Sequence, residues 1–357
     1  MMTDPTWKNE ERAGYALRSL YRNYGYIPYK MSRFEEYDLY VRNKDFLVSD
    51  QIITFSDRSG RLLALKPDVT LSIVKNAPEE SGAVQKVYYQ ENVYRDYREI
   101  LQAGLECVGD LGEYEIAEVV LLAAKSLQLL DGRWVLDVSH MGLLAAVLEN
   151  SGLSRAQQNQ AMEYLHRKNY HQLQSLCKES AAWEKLSAIA ACRGGQEALK
   201  RLEGLLTTEA EQQALEQLKG LWKILEASGF AESIRLDFSV ANNMRYYSGV
   251  VFRGYLEGIP ASVLSGGQYD KLPQKMGRNA KAIGFAIYLG LLENRNREED
   301  DFDVDTLIFH DGTADPLTLT ATAEEAAKEG TVLVTRELPK NRSWKNLLRF
   351  EKGAWVE

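Results

Sequence analysis

The arrangement of predicted strands and helices restricts the fold of this chain more than any other feature. Predicted hairpin strands lie in the first 150 residues and return at 234–240, while nearly every residue of 151–228 fits a helical pattern. Strands in hairpins pair antiparallel, and a helical block between two groups of them interrupts the sequence of their sheet. The pattern therefore predicts an α+β fold, with a mainly antiparallel sheet, flanking helices and a helical insertion.

Apolar periodicity and turn residues predict the individual elements. The predicted helices cover 7–24, 115–130, most of 151–228 and 281–292. The predicted strands lie in 52–67, 84–95, 101–108, 134–140, 234–240 and 250–256, with a glycine turn at 265–267. A charged run, 294–303, predicts a linker to a strand–helix–strand unit. We therefore expect a core domain of 1–150 and 229–295, a helical insertion of 151–228, and a small C-terminal α/β domain of 303–357.

Charge and composition exclude several classes of protein. The 357 residues carry a formal net charge of −8, which argues against broad, non-specific binding to nucleic acid. The 3 cysteines form no Cys-x-x-Cys pair and suit a reducing compartment, and the 4 histidines have no metal-ligand spacing. Because no apolar leader and no run near the ~20 residues of a membrane helix is present, we expect a cytoplasmic protein. We also expect no metal and no other cofactor.

The stretch LQAGLECVG (101–109) is the most informative predicted strand. Its side chains alternate, so that apolar residues face a core while Gln102, Gly104 and Glu106 share the other face. An amide and a carboxylate on either side of a residue without a side chain allow two interpretations. The first is an exposed face weakened by a glycine. The second is the floor of a pocket for a small ligand that carries a positive charge and hydrogen-bond donors.

The motif LKPDVT (65–70) and Arg95 precede that strand. Asp68 and Thr70 offer oxygen acceptors after Pro67, which fixes the backbone; taken alone, the motif is better explained by an Asp or Thr that caps a helix. Arg95 ends the neighbouring strand, and a guanidinium suits a carboxylate or phosphate. The alternative for Arg95 is a surface hairpin in which an Arg–Glu pair contributes little free energy.

Two further clusters follow the helical block. In NNMRYYSGVVF (242–252), Tyr246 and Tyr247 offer an aromatic wall, or are core residues. Because adjacent strand residues face opposite ways, we expect at most one of them to line a pocket fully. SGGQYDKL (265–272) contains glycines that permit close backbone approach or form a plain turn. No cluster contains a nucleophile–base pair or a phosphate-binding loop, so we predict no catalytic residue.

The order of these motifs resembles the catalytic domain of the class II histidine–tRNA ligases over about residues 7–292. The resemblance implies a class II aminoacyl-tRNA synthetase-like fold with a pocket for free histidine. It implies contacts to histidine for Asp68, Thr70, Arg95, Gln102, Gly104, Glu106, Tyr246 and Tyr247. The amino acid would lie over Gly104, with Asp68 or Glu106 offsetting its cationic group and a tyrosine covering its ring.

Several positions depart from the ligase pattern. Asn242 stands where the ligases carry an arginine, and Leu291 replaces an arginine that contacts ATP in the ligases. Gln268 replaces a further arginine, and the loop after Arg95 is short. Because adenylation depends on cations at the phosphates, the resemblance implies a retained amino-acid half of the site and a lost ATP half.

This combination resembles the ligase-related regulatory subunits of ATP phosphoribosyltransferase, the first enzyme of histidine biosynthesis. The resemblance implies a non-catalytic protein that binds free L-histidine. As a homodimer within a hetero-oligomer, it would activate a short-form catalytic subunit and make it responsive to histidine, without a membrane or tRNA partner. One alternative is a histidine–tRNA ligase, which the departures argue against. The other is an amino-acid sensor with a different partner, and a neighbouring gene for a short catalytic subunit would distinguish it.

Overall fold

The computed structural model describes residues 8–47, 51–77, 82–130, 132–240, 246–292 and 302–356. Contacts divide the chain into two compact units, 1–293 and 294–357. The first unit contains all the residues predicted for the site.

The strands of the first unit form two sheets. They are β1 (Ile27–Pro28), β2 (Phe34–Glu36), β3 (Thr54–Ser56), β4 (Leu62–Leu65), β5 (Val84–Arg95), β6 (Arg98–Gly109), β7 (Trp134–His140), β8 (Ile234–Leu236), β9 (Val250–Leu256), β10 (Leu264–Gln268) and β11 (Lys281–Tyr288). The larger sheet has the order β1-β5-β6-β11-β10-β9-β7-β8; β1–β5 and β7–β8 are parallel pairs and the other pairs are antiparallel. The smaller sheet is antiparallel, in the order β2-β4-β3. The predicted α+β fold with a mainly antiparallel sheet is confirmed.

Helices pack against the large sheet, which separates two apolar cores. They are α1 (Asn9–Asn23), α2 (Tyr37–Arg42), α3 (Thr70–Lys75), α4 (Glu113–Leu129), α5 (Met141–Glu149), α6 (Arg155–His166), α7 (Tyr170–Cys177), α8 (Trp183–Ala191), α9 (Gln196–Glu203), α10 (Glu209–Ala227) and α11 (Lys271–Lys275). The first core contains side chains of α1 and α4, and the second contains side chains of α3 and α11. Alternation along β6 places Leu105 and Cys107 in the first core and Val108 in the second.

The segment 151–228 is helical, as predicted. Ser154 and Gln157 form the predicted capping box of α6, in which the Ser154 backbone N–H donates to Gln157 Oε1 at 2.9 Å. The predicted apolar stripe of α10, which includes Trp222, is buried. Buried side chains of α6 to α10 belong to the first core, together with those of α1 and α4. The segment therefore completes the core on one face of the sheet.

The helix predicted over 281–292 is wrong. This run forms β11 and a short 3-10 helix, Leu289–Leu292. Strand β11 lies between β6 and β10, with Ala282 in the second core and Ile283 in the first. A strand buried on both faces is apolar at nearly every position, so its pattern does not distinguish a strand from a buried helix.

The glycine turn at 265–267 and the strand predicted over 234–240 also differ from prediction. Gly266 and Gly267 lie inside β10, where a Cβ on Gly266 would be 2.4 Å from the carbonyl oxygen of Gly284 on the adjacent strand. The strand predicted over 234–240 ends at Leu236. Asp237 Oδ1 accepts the Ser239 backbone N–H at 2.9 Å, which turns the chain out of the sheet.

The second unit contains the predicted strand–helix–strand pattern and a further hairpin. Its elements are β12 (Val304–His310), α12 (Pro316–Ala326), β13 (Val332–Thr335), β14 (Trp344–Glu351) and β15 (Ala354–Val356), in the sheet order β13-β12-β14-β15. Among the residues that the structure describes, no helix combines the length and apolar character needed to cross a membrane. Within the same ranges, no group of His, Cys, Asp and Glu side chains is arranged to hold a metal ion.

Candidate functional site

A cavity of about 450 Å³ lies on the face of the large sheet to which Gln102 and Glu106 point. Its lining includes seven of the eight residues predicted for the site: Asp68, Thr70, Arg95, Gln102, Glu106, Tyr246 and Tyr247. The lining also includes residues that were not predicted, among them Tyr89, Arg253, Ser265, Tyr269 and Tyr288. The structure therefore brings together side chains that the sequence distributes from Asp68 to Tyr288.

Glu106, on β6, is the deeply buried acid of the cavity, with 2% of its surface exposed. Thr70 Oγ1 donates a hydrogen bond of 2.7 Å to Glu106 Oε1, and the Tyr269 hydroxyl donates to Oε2. Burial raises the pKa of the Glu106 carboxyl to about 8, although both hydrogen bonds act in the opposite direction. A carboxyl in this environment gains most from a ligand that brings a positive charge or an N–H donor.

Asp68 lies in the segment between β4 and α3, and Thr70 is the first residue of α3. Asp68 Oδ1 accepts the backbone N–H of Leu71 at 2.9 Å and so satisfies a donor in the first turn of α3. This is the local role that the motif suggested on its own. Asp68 also lines the cavity, where burial raises the pKa of its carboxyl and the charge of Arg95 opposes that rise. The same side chain can therefore order the helix and present an oxygen to a ligand.

Arg95 ends β5 beside a tight turn. Asp96 and Tyr97 have φ values of 52° and 59°, and Arg95 pairs with Arg98 across the turn. Positive φ at both central residues is typical of a two-residue type I′ hairpin, so β6 begins at Arg98 and not at residue 101 as predicted. Arg95 is 7% exposed, and within the described chain its Nε has no hydrogen-bond partner. The interpretation of Arg95 as half of a surface ion pair is therefore wrong.

Gly104 does not line the cavity directly. A Cβ on Gly104 would lie 2.3 Å from the carbonyl oxygen of Phe285 and 2.6 Å from the hydroxyl of Tyr89. Tyr89 is the partner of Gly104 in the β5–β6 register, and the end of its ring lies over the glycine. The space predicted for a ligand above Gly104 is therefore occupied by Tyr89, which lines the cavity in its place.

Tyr246 and Tyr247 both line the cavity, whereas at most one of them was expected to line it fully. They precede β9 and belong to no strand, so the alternation of strand side chains does not apply to them. Their rings meet edge to face, with centroids 4.7 Å apart, and the Tyr246 ring lies 5.7 Å from that of Tyr269. These rings form an aromatic wall suited to a flat ligand ring.

The positions that the resemblance marks as replaced arginines lie outside this cavity or outside the described residues. Gln268 is 8% exposed and donates from Nε2 to Asp270 Oδ2 at 2.7 Å. Leu291 is 40% exposed in the short helix after β11. Asn242 lies outside the described residues.

Comparison with known proteins gives the class of the fold. The family model described as histidyl-tRNA synthetase matches residues 2–292. The crystal structure of an ATP phosphoribosyltransferase regulatory subunit/histidyl-tRNA synthetase from Bacillus halodurans covers 96% of this chain and 94% of its own, with a TM-score of 0.76 at 23% identity. A chain of the ATP phosphoribosyl transferase complex from Thermotoga maritima has a TM-score of 0.61 at 19% identity and covers 77% of this chain and 96% of its own. The fold and the family match define a protein of the histidyl-tRNA synthetase class.

A relative of higher identity defines the family within that class. The ATP phosphoribosyltransferase regulatory subunit of Caldanaerobacter subterraneus subsp. tengcongensis is 32% identical over 287 residues, which are 76% of this chain and 74% of the relative. The chain belongs to the family of ATP phosphoribosyltransferase regulatory subunits. The resemblance inferred from the motifs is confirmed.

Proposed function

We propose that this chain is the regulatory subunit of an ATP phosphoribosyltransferase in histidine biosynthesis. It binds the short-form catalytic subunit, raises its activity and makes it sensitive to histidine, without catalysing a reaction itself. The observation that carries this proposal is the match to a named regulatory subunit over 76% of this chain and 74% of that relative. The uncharged Gln268 and Leu291, at positions where the ligases carry arginine, support a non-catalytic role.

The cavity supports a second proposal, that free L-histidine is the regulatory ligand bound by this chain. The proposed contacts are Asp68, Thr70, Arg95, Gln102, Glu106, Tyr246 and Tyr247. Asp68 and Glu106 offset the positive charge of the ligand. The guanidinium of Arg95, whose Nε has no hydrogen-bond partner in the described chain, is suited to the carboxylate of the ligand. The tyrosine wall covers the imidazole. Gly104 contributes indirectly, because it leaves the space that Tyr89 occupies.

The oligomeric state and the cellular location of the protein are part of the same proposal. Two exposed aromatic side chains lie together on the small sheet: Phe34 and Phe55, whose ring centroids are 5.6 Å apart. Such a patch supports a homodimer within the hetero-oligomer. The cysteines Cys107, Cys177 and Cys192 are unpaired and buried, which supports a cytoplasmic location.

Histidine binding is expected to release a proton. In the empty cavity Glu106 is mainly protonated at pH 7, because its pKa is about 8, and a cationic or N–H-donating ligand favours the carboxylate. Calorimetry should give a Kd between about 1 μM and 1 mM, a binding free energy of about −8 to −4 kcal/mol. At pH 7 the observed heat should depend on the ionisation enthalpy of the buffer, and affinity should rise from pH 7 to pH 8. A folded chain that gives no heat with histidine would contradict the ligand assignment.

Complex formation tests the regulatory role. We expect the chain to co-purify with the short catalytic subunit of its own organism and to raise the rate of phosphoribosyl-ATP formation. Histidine should then inhibit the complex, with a coupling free energy of about 1–3 kcal/mol between the two ligand sites. Separate elution at micromolar concentration with no change in rate would exclude the role and favour the sensor with another partner. As a control, the chain alone should show no histidine-dependent ATP–pyrophosphate exchange; exchange above background would favour the ligase instead.

A further inference from the structure

The part of the cavity over β9 and β10 is not used by the proposed histidine site. The sheet register aligns Gly104, Ala286, Ser265 and Arg253 in one row across β6, β11, β10 and β9. Neighbouring strands lie about 4.8 Å apart, so three steps place the Arg253 backbone about 14 Å from the strand that carries Glu106. Side chains in such a row share one face of the sheet. Ala286, Ser265 and Arg253 accordingly all line the cavity.

Arg253 ends this row with a guanidinium that no acid neutralises. Across the described ranges it makes no hydrogen bond or ion pair, although it is only partly exposed. Asp137 is its neighbour in the β7–β9 register. However, Asp137 Oδ1 accepts a hydrogen bond of 2.9 Å from Arg235 Nε and forms its ion pair with that residue. A partly buried charge without a partner costs free energy, which a bound anion would offset.

Hydroxyl groups lie beside this guanidinium. Ser265 is the register partner of Arg253, and its Oγ lies 2.9 Å from the hydroxyl of Tyr288. Ser262 also lines the cavity. A planar guanidinium together with hydroxyl donors matches the oxygens of a phosphate group. The acids that line the cavity are carried by β6 and by the segment before α3, and Asp137, the acid next to Arg253 in the sheet, is paired with Arg235.

We propose that Arg253, Ser265 and Tyr288 form an anion subsite that binds a phosphate group, beside the amino-acid site and separate from it. The proposal rests on the proposed function only because it takes the remainder of the cavity as the histidine site. A free phosphate ion and a phosphate ester of a larger ligand present the same oxygens to these side chains. The cavity then carries two ligand groups at once, an amino acid towards β6 and a phosphate towards β9.

The test titrates the full chain, saturated with L-histidine, with inorganic phosphate in a calorimeter. Because histidine covers Arg95, the heat of phosphate binding reports the second subsite. We expect saturable binding that Arg253→Met weakens about tenfold or more, and that Arg253→Lys weakens less. Arg133→Met is the matched control: it removes the same charge from an 87% exposed side chain that pairs with Glu257. This control should leave phosphate binding unchanged.

Each other outcome decides the proposal as well. The proposal is overturned if phosphate binding is not saturable, or if adding histidine displaces phosphate. It is also overturned if Arg253→Met and Arg133→Met weaken phosphate binding equally. If thermal unfolding shows that Arg253→Met does not fold, Ser265→Ala replaces it and should also weaken binding. Titration with O-phospho-L-serine distinguishes the sources: binding tighter than inorganic phosphate, with displacement of histidine, identifies an ester. If the wild-type chain binds no histidine, and Arg253→Met still weakens phosphate binding, the result contradicts the histidine site and supports the anion subsite.

Discussion

Replacement of Glu106 with glutamine is expected to stabilise the folded chain above pH 8 and to weaken its affinity for histidine. Burial raises the pKa of this carboxyl from 4.5 to about 8. A group with a raised pKa contributes stability that is fully present below pH 4.5 and is lost as the pH rises through 8. Because glutamine does not titrate, the free energy of unfolding of Glu106→Gln should exceed that of the wild type by about 2 kcal/mol or more at pH 9. The difference should be small at pH 5.

Urea unfolding at the two pH values measures this difference, and calorimetry measures the loss of affinity. Glu216→Gln is the matched control, since Glu216 is 69% exposed on α10 and its loss removes the same charge. The control should change the free energy of unfolding by less than about 0.5 kcal/mol at either pH. Glu106→Gln should lose about 2 kcal/mol of histidine binding, because the amide offers no charge to the ligand. A variant that binds histidine as the wild type does would remove Glu106 from the site.

Gly104→Ala is expected to destabilise the chain by about 3 kcal/mol. The new methyl group would lie 2.3 Å from the carbonyl oxygen of Phe285 and 2.6 Å from the hydroxyl of Tyr89, and a backbone oxygen in the middle of a sheet cannot move aside. The Tyr89 ring should shift into the cavity and weaken histidine binding as well. Urea unfolding with linear extrapolation gives the change in stability.

Gly220→Ala provides the matched control for the methyl group. Gly220 lies inside α10, and a Cβ there meets no atom within 4 Å. Alanine should stabilise this helix by about 0.5–1 kcal/mol. The same chemical change should therefore have opposite signs at the two positions. If Gly104→Ala is as stable as the wild type, the close approach of Tyr89 to the glycine is not as described.

The sequence predicted those parts of the site that depend on one segment alone. A period of two within 101–109 was enough to place Gln102 and Glu106 on one face, and the structure shows both lining the cavity. Tyr89 was missed because its position over Gly104 follows from the register of β5 against β6, which no single segment reveals. Tyr269 donates to Glu106 from a position 163 residues away along the chain. The local pattern of its motif, SGGQYDKL, favours a turn and gives no sign of this contact.

Prediction of the fold from the sequence has the same limit. Hairpins, the helical block and the capping box at Ser154 have local signals and were predicted correctly. Strand β11 was not, because burial on both faces removes the alternation by which strands are recognised. The division of the first unit into a core of 1–150 and 229–295 and an insertion of 151–228 stays a prediction. Contacts divide the chain only between 293 and 294.

The central position of β6 determines how an occupant of the cavity is exchanged with solvent. This strand is paired along its length with β5 on one side, and its residues 102–109 are paired with β11 on the other. Local opening of such a strand costs nearly as much free energy as global unfolding, so amide hydrogens there exchange last. Transient opening of the sheet is therefore too rare to release a ligand. The residence time must be governed by the segments outside the strands, 66–69 and 246–249, and changes that rigidify them should slow departure without altering what is recognised.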